Sequence, residues 1–272
     1  MSEGALAGGP IAVIKIGGSI LTNARAYRRA ALFVRNRHRV SPGERLVVVV
    51  SAQKDSTDAL ELAAKKITES PDPAALDILW STGELRSVAL LTLHLQSLGV
   101  PAVAVNIHEA GLTVPENERD AVTGHVQIQP ARLREFLEKH SIAIVPGFFA
   151  IDSADRVVSL GRGGSDLTAV LLAIGLEASR CELLKDVAGY FTSDPHRNAN
   201  AKHVPSLSFE RALKLADEGC DLVHRKAIEA AARRGLPLVI RSLDAKAHVS
   251  RISNASMEIS LNDPVESATE AK

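Results

Sequence analysis

The sequence predicts an α/β fold, a mostly parallel sheet with helices packed on both faces. Short apolar runs rich in β-branched residues alternate along the chain with longer stretches of helical periodicity. Several of those runs are apolar nearly throughout, as strands covered on both faces are. Two glycine turns each follow a strand run and precede a helical stretch, which places them where ligands gather in parallel sheets, at the carboxyl ends of strands.

The elements follow in order. Ile11-Ala12-Val13-Ile14-Lys15-Ile16 is a buried-strand run carrying one lysine, and Gly17-Gly18-Ser19 turns the chain at once. A lysine inside such a strand needs a charged partner. A helical stretch near 20–39 carries six arginines among apolar positions and reads as a solvated helix face. Arg45-Leu46-Val47-Val48-Val49-Val50 is the second strand, followed by helical stretches near 57–68 and 74–98. Further strands are expected at 101–105, 142–146 and 156–159, with a helix at 130–139 between the first two. A turn at Asp152-Ser153-Ala154-Asp155 suggests a lobe boundary near 147–155. The stretch Ser159-Leu160-Gly161-Arg162-Gly163-Gly164-Ser165-Asp166 is the second glycine turn. It opens a small-residue apolar helix at 166–176, for which Ser165 or Asp166 is the expected cap. Such a turn presents backbone N–H groups to an anion. Strands at 181–184 and 237–241 and helices near 207–218 and 224–234 complete the pattern. Residues 251–272 read as a weak edge strand and a frayed tail.

Composition narrows the function classes. Lys+Arg and Asp+Glu balance at 32 each over 272 residues, so nothing points to a nucleic-acid or membrane surface. Cys181 and Cys220 lack metal spacing and read as core or near-core thiols. The first ten residues lack the basic and apolar regions of a signal peptide, and no apolar run reaches the ~20 residues of a membrane span. A cytoplasmic protein is the reading. Neither glycine turn matches the P-loop or the full dinucleotide fingerprint.

Five motifs occur in one order: Lys15-Ile16-Gly17-Gly18-Ser19, Val48-Val49-Val50-Ser51-Ala52, Ser81-Thr82-Gly83-Glu84-Leu85, Gly161-Arg162-Gly163-Gly164-Ser165-Asp166, and Lys185-Asp186 running on to Phe191-Thr192-Ser193-Asp194-Pro195. Together, over residues 11–243, they resemble the amino acid kinase family, and within it the aspartokinases. The resemblance implies a three-layer α/β/α sandwich with a mostly parallel central sheet. It implies a single domain over 10–250, with an acceptor lobe to about residue 150 and a nucleotide lobe from 151. It implies ATP-dependent phosphorylation of the β-carboxylate of L-aspartate, with Mg²⁺ held mainly by the ATP phosphates and no protein metal site.

The residue roles follow from the same resemblance. Lys15 and Asp166 are the catalytic pair. Thr57, Glu84, Arg162 and Ser165 bind the acceptor, Arg162 on its α-carboxylate and Glu84 on its ammonium. Gly17, Gly18, Ser19, Gly163 and Gly164 hold phosphate oxygens. Lys185, Asp186, Phe191, Asp194, Arg197 and Lys226 face the nucleotide. Read from residues alone, Glu84 would be a capping-box glutamate of a helix opening at Ser81 and Thr57 an N-cap. The chain departs from the aspartokinase pattern at Lys185, Phe191, His196 and Asp221, where threonine, tyrosine, arginine and lysine are usual. It also lacks the usual glycine in Ser51-Ala52-Gln53-Lys54-Asp55-Ser56-Thr57-Asp58. It leaves no length for paired regulatory domains of the ACT type, which implies insensitivity to lysine and threonine. Two other readings stay open: a kinase of this fold with another small amino acid or carboxylate as acceptor, and a non-catalytic nucleotide- or partner-binding subunit. A homodimer is the base-rate expectation.

Overall fold

The structure is a computed structural model that describes residues 9–115, 126–192, 200–220, 222–244 and 247–254. Strand β1 (Ile11–Ile16) passes through its glycine turn into α1 (Ala24–Val40), and β2 (Arg45–Val50) returns beside β1. Helices α2 (Ser56–Lys65) and α3 (Pro73–Ser97) follow, then β3 (Ala102–Ala104), α4 (Ile107–Ala110), β4 (Leu112–Val114), β5 (Gln127–Ile128), α5 (Ala131–Lys139) and β6 (Ile142–Pro146). A hairpin of β7 (Phe149–Asp152) and β8 (Val157–Ser159) leads into α6 (Gly164–Gly175) and β9 (Cys181–Leu184). The chain continues through β10 (Tyr190–Phe191), β11 (His203–Val204), β12 (Ser206–Ser208), α7 (Phe209–Asp217), α8 (Arg225–Arg234), β13 (Leu238–Arg241) and β14 (Ser250–Ser253).

Eight strands form the central sheet in the order β12-β14-β13-β9-β1-β2-β6-β3. Every pair in it is parallel except β13–β14. Period-two alternation sorts its side chains into two cores. Ala12, Ile14, Ile16, Leu46, Val48, Val50, Ile142 and Ile144 pack with Tyr27, Ala30 and Val34 of α1 and with Val88, Leu91 and Leu95 of α3. Ile11, Val13, Val47, Val49, Ala143, Val145 and Leu183 pack on the other face with α5, α6 and α8 through Leu133, Leu137, Val170, Leu172, Ala227 and Ile228. The expected three-layer α/β/α arrangement follows from that division. Helix ends are set locally: Asn23 accepts from the Ala26 N–H at 3.1 Å, and Asp72 accepts from the Ala75 N–H at 2.9 Å with Pro73 at the first helical position.

Several expectations need correction. Strand β14 is not at the edge; it sits between β13 and β12. Its two neighbours supply the ladder that a weakly patterned stretch lacks by itself. The rest of the expected tail lies outside the described residues. Neither Ser165 nor Asp166 caps α6, which begins at Gly164 behind a left-handed Gly163. Residues 81–84 lie in mid-α3, so Glu84 has no cap to make there, and Thr57 is inside α2 with Asp55 at the N-cap. The arginines of α1 are not uniformly solvated. Arg37 reaches Glu44 at 2.5 Å and Glu182 at 3.7 Å, and Arg180 and Arg241 complete that partly buried network. Asp152 is a buried end of β7, accepting from the N–H groups of Ala154 and Arg156 at 3.0 and 2.9 Å, so the polar turn itself is only Ser153–Asp155. A second sheet, β5-β4-β7-β8, and the β10–β11 pair lie beside the central one.

Candidate active site

Lys15 sits in the central strand, registered between Val49 of β2 and Leu183 of β9, and is 7% exposed. It lies two residues after Val13, on the sheet face that α6 covers. A bare ammonium there would be costly. The first turn of α6 supplies its partner: Lys15 Nζ is 2.8 Å from Asp166 Oδ1. Lys185, the first residue past β9, approaches from the adjacent strand end, and its Nζ is 2.8 Å from Asp166 Oδ2. One buried carboxylate thus joins two ammonium groups from neighbouring strands. Burial alone would raise the Asp166 pKa, but Lys15 and Lys185 hold it well below the usual carboxylate range. Burial pushes Lys185 down, and the Lys15 charge adds to that while Asp166 opposes it. The cluster carries a net positive charge, suited to an anion.

The start of α6 is built for that placement. Gly163 has φ +75°, and a Cβ there would stand 2.0 Å from His224 Cγ. The His224 N–H in turn points at Asp166 Oδ2, 3.4 Å away. Gly163→Ala therefore meets both a backbone penalty of roughly 1–2 kcal/mol and a collision. Its expected result is a lower denaturation midpoint, read by thermal melts of the two proteins.

Beside the cluster is a cleft of about 340 Å³. It is lined by Gly18 and Ser19 from the β1 turn, Ser51 to Asp55 from the β2 turn, Thr57 and Asp58 of α2, Glu84 of α3, Phe148, and Ser165 of α6. The Gly17 carbonyl accepts from Ile20 and Leu21, which closes the β1 turn. Gly18 packs so closely on the β2 turn that a Cβ would lie 2.6 Å from the Ala52 carbonyl oxygen. Glu84 is 4% exposed; its Oε1 accepts from the Ala52 N–H at 3.2 Å, and its Oε2 has no hydrogen-bond partner among the described residues. Burial raises the Glu84 pKa to about 7.

A profile of the amino acid kinase family matches residues 10–242. The chain belongs to the amino acid kinase family. Relatives include an aspartokinase of Thermus thermophilus, 36% identical over 232 residues, which are 85% of this chain and 56% of that protein. An aspartokinase of Geobacillus stearothermophilus is 37% identical over 234 residues, with the same two shares of 85% and 56%. Among solved structures, aspartate kinase from Synechocystis superposes with a TM-score of 0.77 at 32% identity, over 91% of this chain and 40% of that one. Aspartokinase III of E. coli, solved in complex with aspartate and ADP, gives a TM-score of 0.75 at 25% identity, over 91% of this chain and 65% of that one. The chain thus spans about half the length of the relatives it matches.

Within this family member, the residues singled out by sequence divide as follows. Lys15, Asp166 and Lys185 meet directly, and Gly18, Ser19, Thr57, Glu84 and Ser165 line one cleft. Gly17 adjoins Lys15, since a Cβ there would lie 3.3 Å from its Nζ, and Gly164 packs under Phe148. Arg162 is exposed and outside the cleft lining. Asp186 is exposed just past β9, Phe191 is on β10 against His203 with ring centroids 5.5 Å apart, and Lys226 is in the first turn of α8. Asp194, His196, Arg197 and Asp221 lie outside the described residues. Gln53, Lys54, Asp55, Asp58 and Phe148 were not foreseen as lining residues. The first four follow a strand's carboxyl end, which was the available signal. Phe148 takes φ 75°, rare for a bulky side chain, and nothing in its local sequence announces that.

Proposed function

We propose that this chain transfers the γ-phosphoryl group of ATP to the β-carboxylate of L-aspartate. The observation that carries the reading is the Lys15–Asp166–Lys185 cluster beside a cleft holding a buried, half-satisfied Glu84. An acceptor carboxylate is already ionised near neutral pH, so no strong general base is needed. A carboxylate oxygen forms the new bond to the γ-phosphorus, and the bond from that phosphorus to the bridging oxygen breaks. The products are ADP and an acyl phosphate, with no proton to place. What the protein must do is bring two anions together and neutralise charge on the transferring group. Lys15 and Lys185 supply that charge from fixed strand-end positions, with Asp166 holding both ammonium groups in place. Glu84 receives the acceptor's ammonium at its unpartnered oxygen. Ser165 and Thr57 offer hydroxyls, and the resemblance assigns Arg162 to the α-carboxylate. ADP release from ATP with a panel of small amino acids and carboxylates tests the reading. Strict dependence on aspartate supports it, and turnover only with a different acceptor replaces it.

Among the described residues no three His, Cys, Asp or Glu side chains group to hold a metal. Both Asp166 oxygens face lysines. That donor set suits Mg²⁺ carried on nucleotide phosphates and water, where it would neutralise phosphate charge.

Glu84 makes acceptor binding pH-dependent. In the empty cleft its carboxyl is protonated below about 7. An ammonium ion needs the ionised form, so kcat/KM for aspartate should rise about tenfold per pH unit up to that point and then level. Glu84→Gln should remove the inflection, as pH profiles of both proteins will show. The sign for stability is the reverse. The folded pKa is above the unfolded one, so this residue's contribution is greatest below pH ~4.5 and declines as pH rises toward 7.

The homodimer reading draws support from α3. Ile78, Leu85 and Leu93 are exposed on it at 62%, 37% and 61%. Its exposed positions carry a single formal charge, Arg86. A helix apolar on its outward side is usually covered. Leu85→Glu combined with Leu93→Glu should convert a dimer to a monomer in light scattering, without lowering the melting temperature of the monomer.

A further inference from the structure

We infer that Ser250, with His203 behind it, is a positioning residue for Lys185: it fixes the far end of the loop that carries this ammonium to Asp166. The inference rests on the reading that Lys15 and Lys185 face the transferring phosphoryl group. Residues 185–189 link β9 to β10. The Lys185 N–H donates to the Arg241 carbonyl at 2.8 Å, which ties the loop's start to β13. The Tyr190 N–H donates to Ser250 Oγ at 2.8 Å, which ties its end to β14. Between those ties, residues 186–189 make no hydrogen bond among the described residues. Gly189 takes φ +118°, and a Cβ there would stand 2.4 Å from Ser250 Oγ, so the loop is pressed against the same hydroxyl.

Ser250 is fully buried, and its hydroxyl is used to capacity. It donates to the Val204 carbonyl at 2.6 Å and accepts from the Tyr190 N–H. Tyr190 and Val204 are register partners in the β10–β11 pair, so a serine of β14 stitches the end of that pair. A carbonyl only accepts and an amide N–H only donates, which leaves the hydroxyl one lone pair. His203 Nε2, 3.1 Å away, must therefore donate to it, and this fixes the ring proton on Nε2. The ring is held for that bond: it stacks on His248 with centroids 4.5 Å apart and meets Phe191 edge-on at 5.5 Å. Removing the hydroxyl leaves the buried Tyr190 N–H without its acceptor and releases the loop's end. Lys185 reaches Asp166 Oδ2 at 2.8 Å from the start of that loop, and with the end released its stem loses the frame that aims it. No residue of the loop lines the cleft, so the acceptor side is untouched.

The test is steady-state kinetics of the wild type, Ser250→Ala, His203→Ala, His203→Gln, Lys185→Met and the double variant Ser250→Ala with Lys185→Met. Ser250→Ala should lower kcat/KM for ATP about 3- to 10-fold, the range of one hydrogen bond, and leave the KM for aspartate where it was. His203→Ala should lose in the same parameter, and His203→Gln, whose amide nitrogen can stand in for Nε2, should recover it. In the Lys185→Met background Ser250→Ala should cost nothing further, because the residue it positions is gone. Unchanged kinetics in Ser250→Ala, a loss in the KM for aspartate, or full additivity in the double variant overturns the inference. If Ser250→Ala does not fold, the two His203 variants and the cycle of His203→Ala with Lys185→Met carry the same decision. If the wild type turns over no aspartate, it is the acceptor reading that fails. Calorimetric titration of ATP with Mg²⁺ into the same proteins then decides. Weaker binding in Ser250→Ala that disappears in the Lys185→Met background sustains the role of Ser250, and equal binding, or none to any of them, removes it.

Discussion

Asp166→Ala should be the most destabilising single substitution at the site. It leaves the buried Lys15 and the half-buried Lys185 within reach of each other, with only the exposed Asp186 acting on Lys185 as a counter-charge. Breaking a buried pair by removing one partner costs about 3–5 kcal/mol, and here two cations lose the same partner. Asp166→Asn keeps the volume and an oxygen acceptor but not the charge, so it should fall between Ala and the wild type. Urea denaturation at neutral pH measures the order. The pH dependence has a definite sign. The folded Asp166 carboxyl titrates below its unfolded range, so its contribution is complete above pH ~4. It declines as pH falls further, and the gap between the wild type and Asp166→Ala should narrow with it. Equal stability of the two proteins at neutral pH would show that the lysines find other partners.

Lys15→Met should have the largest effect on turnover. Methionine keeps most of the stem's volume within the sheet and removes the ammonium. Asp166 keeps Lys185 as a partner, so the fold should survive. Loss of one preorganised charge at a transferring phosphoryl group lowers kcat by about 10²–10³-fold. The KM for aspartate should move little, because the proposed acceptor contacts, Glu84 and Thr57, line the cleft while Lys15 pairs with Asp166. A variant with unchanged kcat would place the transferring group elsewhere.

The legible part of this molecule was the part written in long patterns. Seven strand runs and seven helices were expected, and each has a counterpart in the structure within a few residues. Lys15 stood out because a charge inside an apolar run demands a partner, and the glycine turn before α6 offered Asp166. That Lys185 would share the same carboxylate was not readable. It depends on β9 lying next to β1, an adjacency between segments far apart in the chain. Strands β4, β5, β7, β10, β11 and β12, of two to four residues each, are too short to show a period. Glu84 was legible as part of the helical stretch at 74–98, but its approach to the β2 turn was not, because that rests on packing between segments distant in the chain. Gly83 makes room for it: a Cβ there would stand 3.0 Å from Ala52 Cβ. The close approach brings the Ala52 N–H to Glu84.

The most direct test of the central claim traps the product. The protein is incubated with ATP, Mg²⁺, L-aspartate and hydroxylamine, with Lys15→Met run beside it. An aspartyl hydroxamate that requires both ATP and aspartate, and that is nearly absent with Lys15→Met, is the predicted result. ATP consumption without hydroxamate, or equal hydroxamate from both proteins, would contradict phosphoryl transfer to the aspartate β-carboxylate at this cluster.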